Sequence, residues 1–249
     1  MKKTTLLLAG LVLATIGTYA QTADEIINKH ADAIGGRQKL AAIKNIYMEG
    51  KSNINGTDVP FKVWTVDKQA TRIEFSFGGM TGYTIIRKDS GWGFSPFAGQ
   101  THPEPMTADQ VKGSQSQLDA AGDNLIDYKT KGYKVTFEGK DDVDGTEAFK
   151  LQLKISDSLV ETYYIDPESY YVIRVHTKET ANGKVEEGNQ DLSNYQKTAD
   201  GYTFPMALSG GPGGDQKITT IKVNTEIDPN LFKPLIPKPD PTPTAVPNK

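Results

Sequence analysis

The side chains able to do acid–base, nucleophilic or metal chemistry are few and scattered. Three histidines, His30, His102 and His176, lie far apart in the chain. His30 falls on the apolar side of a predicted helix, where packing in a core accounts for it better than ligation. His102 and Glu104 have a spacing that could hold a metal, but Pro103 and Pro105 make the stretch a loop. No cysteine occurs anywhere, which removes thiol nucleophiles, thiolate ligands and disulfides together. Ser95 sits in Gly93-Phe94-Ser95-Pro96-Phe97. That lacks the second glycine of a nucleophile elbow and puts a proline where the following helix would begin. "DDVDGTE" from Asp141 lacks the ligand series of a calcium loop and reads as a charged hairpin turn. "GGPGG" at Gly210–Gly214 precedes no helix, so it cradles no phosphate. The expectation is a protein without a catalytic residue, metal or cofactor, and therefore no enzyme.

What the chain has in quantity is apolar and aromatic surface: 11 Tyr, 9 Phe and 2 Trp. "DSGWGFSPFAGQ", Asp89–Gln100, concentrates Trp92, Phe94 and Phe97 beside turn residues. The elements that must position them are mostly strands. Thr22 to Ile34 and Arg37 to Ile43 have helical spacing, with Thr22 or Asp24 as cap and Gly35-Gly36 as stop. Period-two alternation follows, as in Val59, Phe61 and Val63, then Ile73, Phe75 and Phe77, then Phe149, Leu151, Leu153 and Ile155. Gln100 to Tyr128 interrupts the strands with a polar helix predicted over Thr107–Ala121. Short turns such as Asp144-Gly145 and Asp200-Gly201 join the later strands. The expected fold is mainly β (α+β): one large curved antiparallel sheet of about 11 strands in a meander. A curved sheet of that size has a concave face that its side chains fill or that holds a ligand.

Charge excludes some partners. With 28 basic and 31 acidic residues well mixed and a net charge of −3, no basic stripe offers itself to nucleic acid. Lys2 and Lys3 precede an apolar run from Leu6 to Ile16, and Thr18-Tyr19-Ala20 ends in small residues at cleavage-site spacing. This predicts a secretory signal peptide over residues 1–20, cut after Ala20 and too short to span a membrane. Residues 21–233 are expected to form a single domain. From Pro234 the sequence carries six prolines in its last sixteen residues, which predicts a disordered tail over 234–249.

The stretch "YTIIRKDSGWGFSPFAGQ" resembles the central signature of the periplasmic LolA-like, outer-membrane lipoprotein-sorting family. Asp89, Trp92, Phe94, Pro96 and Gln100 carry the likeness. Arg72-Ile73-Glu74, "YYIDPESYYVIRV" from Tyr163 and "IDPNLFKP" from Ile227 resemble further family segments in order, so the similarity runs from Thr22 to Pro234. The family often has Arg-Pro before its third strand, whereas this chain has Asp67-Lys68-Gln69-Ala70. The resemblance implies an unclosed β-barrel with helices over its mouth, binding acyl chains of lipoproteins or other lipids. It implies a soluble periplasmic monomer shuttling cargo from an inner-membrane extraction complex to an outer-membrane acceptor. The alternative is a lipid- or lipoprotein-sensing or structural binding domain on the same fold, without transfer. The expected cavity residues are Trp64, Phe75, Phe77, Ile85, Trp92 and Phe94.

Overall fold

A computed structural model of the chain describes residues 22–236, apart from positions 182 and 212. The predicted signal peptide and most of the proline-rich tail lie outside these residues. Helix α1, Ala23–Ala33, opens on a capping box: the Thr22 hydroxyl accepts from the Glu25 N–H, and the Glu25 carboxylate accepts from the Thr22 N–H. Two orphan amides are satisfied reciprocally. The helix buries Ile26, Ile27, His30 and Ala31 along one stripe. Helix α2, Arg37–Leu40, is shorter than its sequence pattern and winds out in single turns through Ile43.

Thirteen strands follow among the described residues. They are β1 (Asn45–Ile54), β2 (Thr57–Val66), β3 (Ala70–Phe77), β4 (Met80–Arg87), β5 (Gly91–Phe94) and β6 (Glu104–Pro105). Then come β7 (Lys134–Val143), β8 (Thr146–Lys154), β9 (Leu159–Ile165), β10 (Val172–Ala181), β11 (Lys184–Lys197), β12 (Thr203–Ser209) and β13 (Asp215–Val223). All belong to one sheet in the order β6-β5-β4-β3-β2-β1-β13-β12-β11-β10-β9-β8-β7. Every pairing is antiparallel, and two meanders, β1–β6 and β7–β13, join where the first strand pairs with the last, β1 with β13. It curves into an unclosed barrel. Its two free edges, β6 and β7, are consecutive in sequence, so residues 106–133 must cross from one edge to the other.

That crossing covers the inner face. Helix α3, Ala108–Gly113, has its own capping box, made by Thr107 and Gln110. The sequence predicts a helix through Ala121. It ends at Gly113, with the Ser114 hydroxyl bonded back to the Gln110 carbonyl and a 3-10 turn over Gln115–Leu118. Glycine is a poor helix former, and serine competes for backbone groups. Beyond it the chain drops into the barrel, where Leu125 packs with Ile26 and Ile27 of α1. These three meet Phe149, Leu151, Leu153, Tyr163, Ile165 and Val172 from β8–β10 in the main core. A second cluster joins Ala31, Ile34, Leu40 and Ile43 to Ile46, Ile126, Tyr202 and Val223. Together they fill one end of the barrel around the helices.

Candidate functional site

The strands β1–β5 present two faces, and register decides which residues share each. Phe61 stands opposite Phe75, and Phe75 opposite Gly82. Ile73, Thr84, Gly93 and Glu104 form the neighbouring row on the same inner face. Glycines at this face let covering residues lie flat against it. A Cβ at Gly82 would stand 2.8 Å from the Phe97 ring, and one at Gly91 2.5 Å from the Met106 sulfur.

Between the sheet and this cover lies a cavity of about 670 Å³. Its apolar wall is made by Ile54, Val59, Phe75, Phe77, Phe97 and Met106. Glu104 stands in its lining, and two of its polar side chains are tied to backbone. The Gln100 side-chain oxygen accepts from the Ser95 N–H, and that of Gln110 accepts from the Thr107 N–H. The mouth is apolar as well. Ile54 is 42% exposed, Phe77 52%, Phe97 41%, and Met80, opposite Phe77 in the β3–β4 hairpin, 43%. A monomer seldom leaves several large apolar side chains exposed side by side without a use for them. Among the described residues, no group of three or more His, Asp or Glu is placed to hold a metal. The cavity can exclude water from an apolar chain, with Glu104 as the one charged residue in its lining.

The six residues expected from sequence divide between the two faces. Phe75 and Phe77 line the cavity. Phe94 contributes to its wall, but its ring packs on Tyr83, with centroids 5.7 Å apart. Ile85 is fully buried with Tyr83 and Phe94, and Trp92 is half-buried against that cluster. Trp64, Arg72, Ile85 and Trp92 stand in one row across β2–β5, on the face opposite Phe75. Trp64 packs on the Tyr47 ring at 5.4 Å. The structure therefore brings Phe75, Phe77 and Phe94 to the cavity and places Trp64, Ile85 and Trp92 away from it. Ile54, Val59, Phe97 and Met106 enter the site without having been singled out. Val59 was readable from its alternation with Phe61. Phe97 and Met106 sit on loops, where only the tertiary fold decides their direction.

Arg72 closes the outer row. Its Nε donates to Glu74 at 2.7 Å and its Nη1 to the Leu231 carbonyl at 3.0 Å, while the guanidinium lies 4.0 Å from the centre of the Tyr83 ring. This fastens the C-terminal segment across the outside of β3.

A smaller cavity of about 270 Å³ lies beneath α1, bordered by His30, Asp123, Glu161, Tyr163, Tyr195 and Phe204 among others. His30 is buried and presents both ring nitrogens to acceptors: Nδ1 to the Tyr170 carbonyl and Nε2 to Asp123, each at 2.7 Å. Two acceptors require two ring protons, so the imidazole is held as the cation. Burial opposes that charge, but Asp123 and the Tyr170 carbonyl outweigh it and raise the pKa. Burial likewise opposes the Asp123 charge. The His30 cation and the Leu125 and Ile126 amides prevail and hold that carboxyl below its usual range. Burial, together with the charges of Glu161 and Asp123, pushes the Tyr163 phenol well up. This is a structural staple between α1 and the crossing segment.

No protein-family model matches the sequence, and no curated protein does. Solved structures match its fold. A domain described as an outer membrane lipoprotein-sorting protein, from Vibrio parahaemolyticus, aligns at 12% identity and a TM-score of 0.51. The alignment covers 85% of this chain and 95% of that one. A LolA superfamily protein from Nitrosomonas europaea aligns at 13% identity and a TM-score of 0.53, covering 86% of this chain and 99% of that one. The fold is thus LolA-like, an unclosed antiparallel barrel covered by helices. No helix among the described residues is long and apolar enough to cross a membrane.

Proposed function

We propose that the protein is a periplasmic carrier that takes acyl chains of lipoproteins, or other lipids, into the cavity between β1–β6 and their cover. The observation that carries this reading is the apolar cavity of about 670 Å³ with an exposed apolar rim. Its size falls in the range that buries most of a small ligand. The LolA-like fold supports the same class, since both neighbours in fold carry lipoprotein-sorting or LolA descriptions.

The energetics define the task. Each methylene removed from water contributes about 0.8 kcal/mol, so a ~16-carbon chain carries a penalty of roughly 13 kcal/mol in the aqueous gap. A carrier must offset that penalty without exceeding what the membrane offers, or it never releases its cargo. A half-open pocket walled by aromatic and methionine side chains suits reversible loading better than a filled core. The protein works by binding, not by catalysis. In this reading, export follows cleavage after Ala20, and residues 21–233 act as one monomeric lipid-binding domain. The partners are acylated lipoproteins or lipids, an inner-membrane extraction complex and an outer-membrane acceptor.

One observation favours a second reading, a lipid- or lipoprotein-sensing domain without transfer. At the turn before β3, where the carriers often have Arg-Pro, Lys68 reaches into solvent with its side chain 73% exposed, paired only loosely with Asp67. Vesicle-to-vesicle transfer of a labelled lipopeptide separates the two readings, because a sensor binds without transferring. Native mass spectrometry of the protein purified from the periplasm tests both. Bound lipid, or a rise in Tm with an acylated peptide, is expected. Absence of both overturns the reading.

A further inference from the structure

In a meander, successive turns alternate between the two ends of the sheet. The β1–β2, β3–β4 and β5–β6 connections therefore lie at one end, and the β12–β13 connection joins them because Asn53 pairs with Asp215. All four line the cavity, through Ile54, Phe77, Phe97 and Gly213. Their sequences are Asn53–Thr57, Ser76–Gly82, Ser95–Pro103 and Ser209–Gly214. None contains Asp, Glu, Lys or Arg, and the single histidine, His102, stands at the far end of the third, beside Glu104 of β6. They are instead rich in glycine and tipped by Ile54, Phe77, Met80 and Phe97, each about half exposed.

The other turns differ. At the opposite end of the same strands, β2–β3 turns through Asp67-Lys68 and β4–β5 through Lys88-Asp89. At the mouth end of the remaining strands, the β8–β9 turn carries Asp157, and Lys184 opens β11. In a chain with 24% charged residues, the loops that frame the cavity hold no acidic residue, lysine or arginine, and His102 is their one histidine.

We propose that this ring of loops docks directly on a lipid bilayer, with Ile54, Phe77, Met80 and Phe97 entering the interface of an electrically neutral membrane surface. Apolar tips gain by leaving water, and glycine-rich loops bring no charge that must be desolvated. The acidic residues nearest the tips, Asp58, Glu104 and Asp215, stand on the strands behind them, so they repel an anionic surface and leave a neutral one accessible. Docking by the mouth puts the cavity flush with the acyl region, so that a chain moves between bilayer and cavity without crossing water. This rests on the carrier reading but can fail separately from it.

The test is flotation of the full mature protein with vesicles of pure phosphatidylcholine. The wild type is expected to float, and to do so equally at low and high salt, because the inserting tips carry no charge. Met80→Asp is expected to abolish flotation. Met80 is not among the residues lining the cavity, so acylated-peptide binding measured on the same variant separates loss of docking from loss of loading. Phe97→Ser is expected to weaken flotation about tenfold by removing one ring from the interface. Val185→Ser, equally exposed but on β11, leaves it unchanged. Docking is overturned if the wild type stays unbound, if it binds only anionic vesicles in a salt-sensitive way, or if Met80→Asp floats like the wild type. If the wild type floats but takes up no acylated peptide, the carrier reading fails and docking stands.

Discussion

The two halves of the barrel share one sheet and one alternation of residues, yet they use their inner faces differently. In β8–β10 the inward row Phe149, Leu151, Leu153, Tyr163 and Ile165 is met by Ile26, Ile27 and Leu125. In β2–β4 the inward residues Val59, Phe75 and Phe77 meet a cavity. Fastening differs in parallel. In the filled half, α1 and α2 are bound to the crossing segment by charged groups: His30 to Asp123, Arg37 to the Ile126 carbonyl, and Asp24 to Tyr128 and Lys129. The cover of the open half is held at its margins instead. The Met106 N–H donates to the Gly91 carbonyl and the Lys68 N–H to the Leu118 carbonyl, each at 2.8 Å. The Thr71 hydroxyl donates to the Gln117 carbonyl at 2.7 Å. One half is filled and tied by buried charge, and the other leaves space beneath a cover held by backbone carbonyls and amides.

The largest test of that contrast is Asp123→Ala. It strands the buried His30 cation, an effect worth about 3–5 kcal/mol, and urea unfolding reads it as a lower midpoint. The pair also sets a pH window. The raised His30 pKa contributes stability that is fully present below its ordinary value of 6.5 and is lost as pH rises through the folded value. The lowered Asp123 pKa contributes stability present above its ordinary 3.8 and lost as pH falls through the folded value. Unfolding free energy is therefore expected to be highest between about pH 4 and 6.5 and to fall on both sides, and the Asp123→Ala profile should be flatter. An unchanged profile would place the staple's strength elsewhere.

Core and cavity substitutions should then separate. Leu151→Ala, at a fully buried position, is expected to cost about 3 kcal/mol with acyl-peptide affinity unchanged in the folded fraction. Trp92→Ala should behave likewise on a smaller scale, about 1–2 kcal/mol for a half-buried ring on the outer face. Phe75→Ala should do the reverse. It faces open space, so stability falls by less than about 1 kcal/mol while affinity falls about tenfold. Equal losses of affinity for Trp92→Ala and Phe75→Ala would erase the distinction between the faces.

Strand parity made most of the sheet readable. Phe149, Leu151, Leu153 and Ile155 alternate without interruption, and Thr22 with Glu25 marks the start of α1. The strongest aromatic signal, Trp92 and Phe94, pointed to the right strand but could not say which face is hollow. Parity groups side chains, whereas curvature decides which group lies inside. That choice is made by the 106–133 crossing, whose thin apolar content, Val111 and Leu118 in its first part, encodes its path only through contacts with distant strands. Even the staple was half visible: His30 was legible as a buried histidine, but its partner Asp123 lies 93 residues away.

The smallest expected effect falls at the turn before β3. If a side chain there latched the cover, as Arg-Pro would in a carrier of this fold, Lys68→Ala would loosen it. Lys68 instead contributes its backbone: its N–H holds the Leu118 carbonyl, while its ammonium stands in water 3.7 Å from Asp67. An exposed pair of this kind contributes little, so Lys68→Ala should change stability by no more than about 0.5 kcal/mol and leave the rate of acyl-peptide uptake as it was. Asp67→Ala should do more, because the Asp67 carboxylate also accepts from the Ala120 N–H at 3.2 Å. Stopped-flow uptake of a fluorescent lipopeptide distinguishes them. Faster uptake by Asp67→Ala alone marks a latch made of backbone and Asp67. An equal acceleration by Lys68→Ala would restore the side chain as the gate.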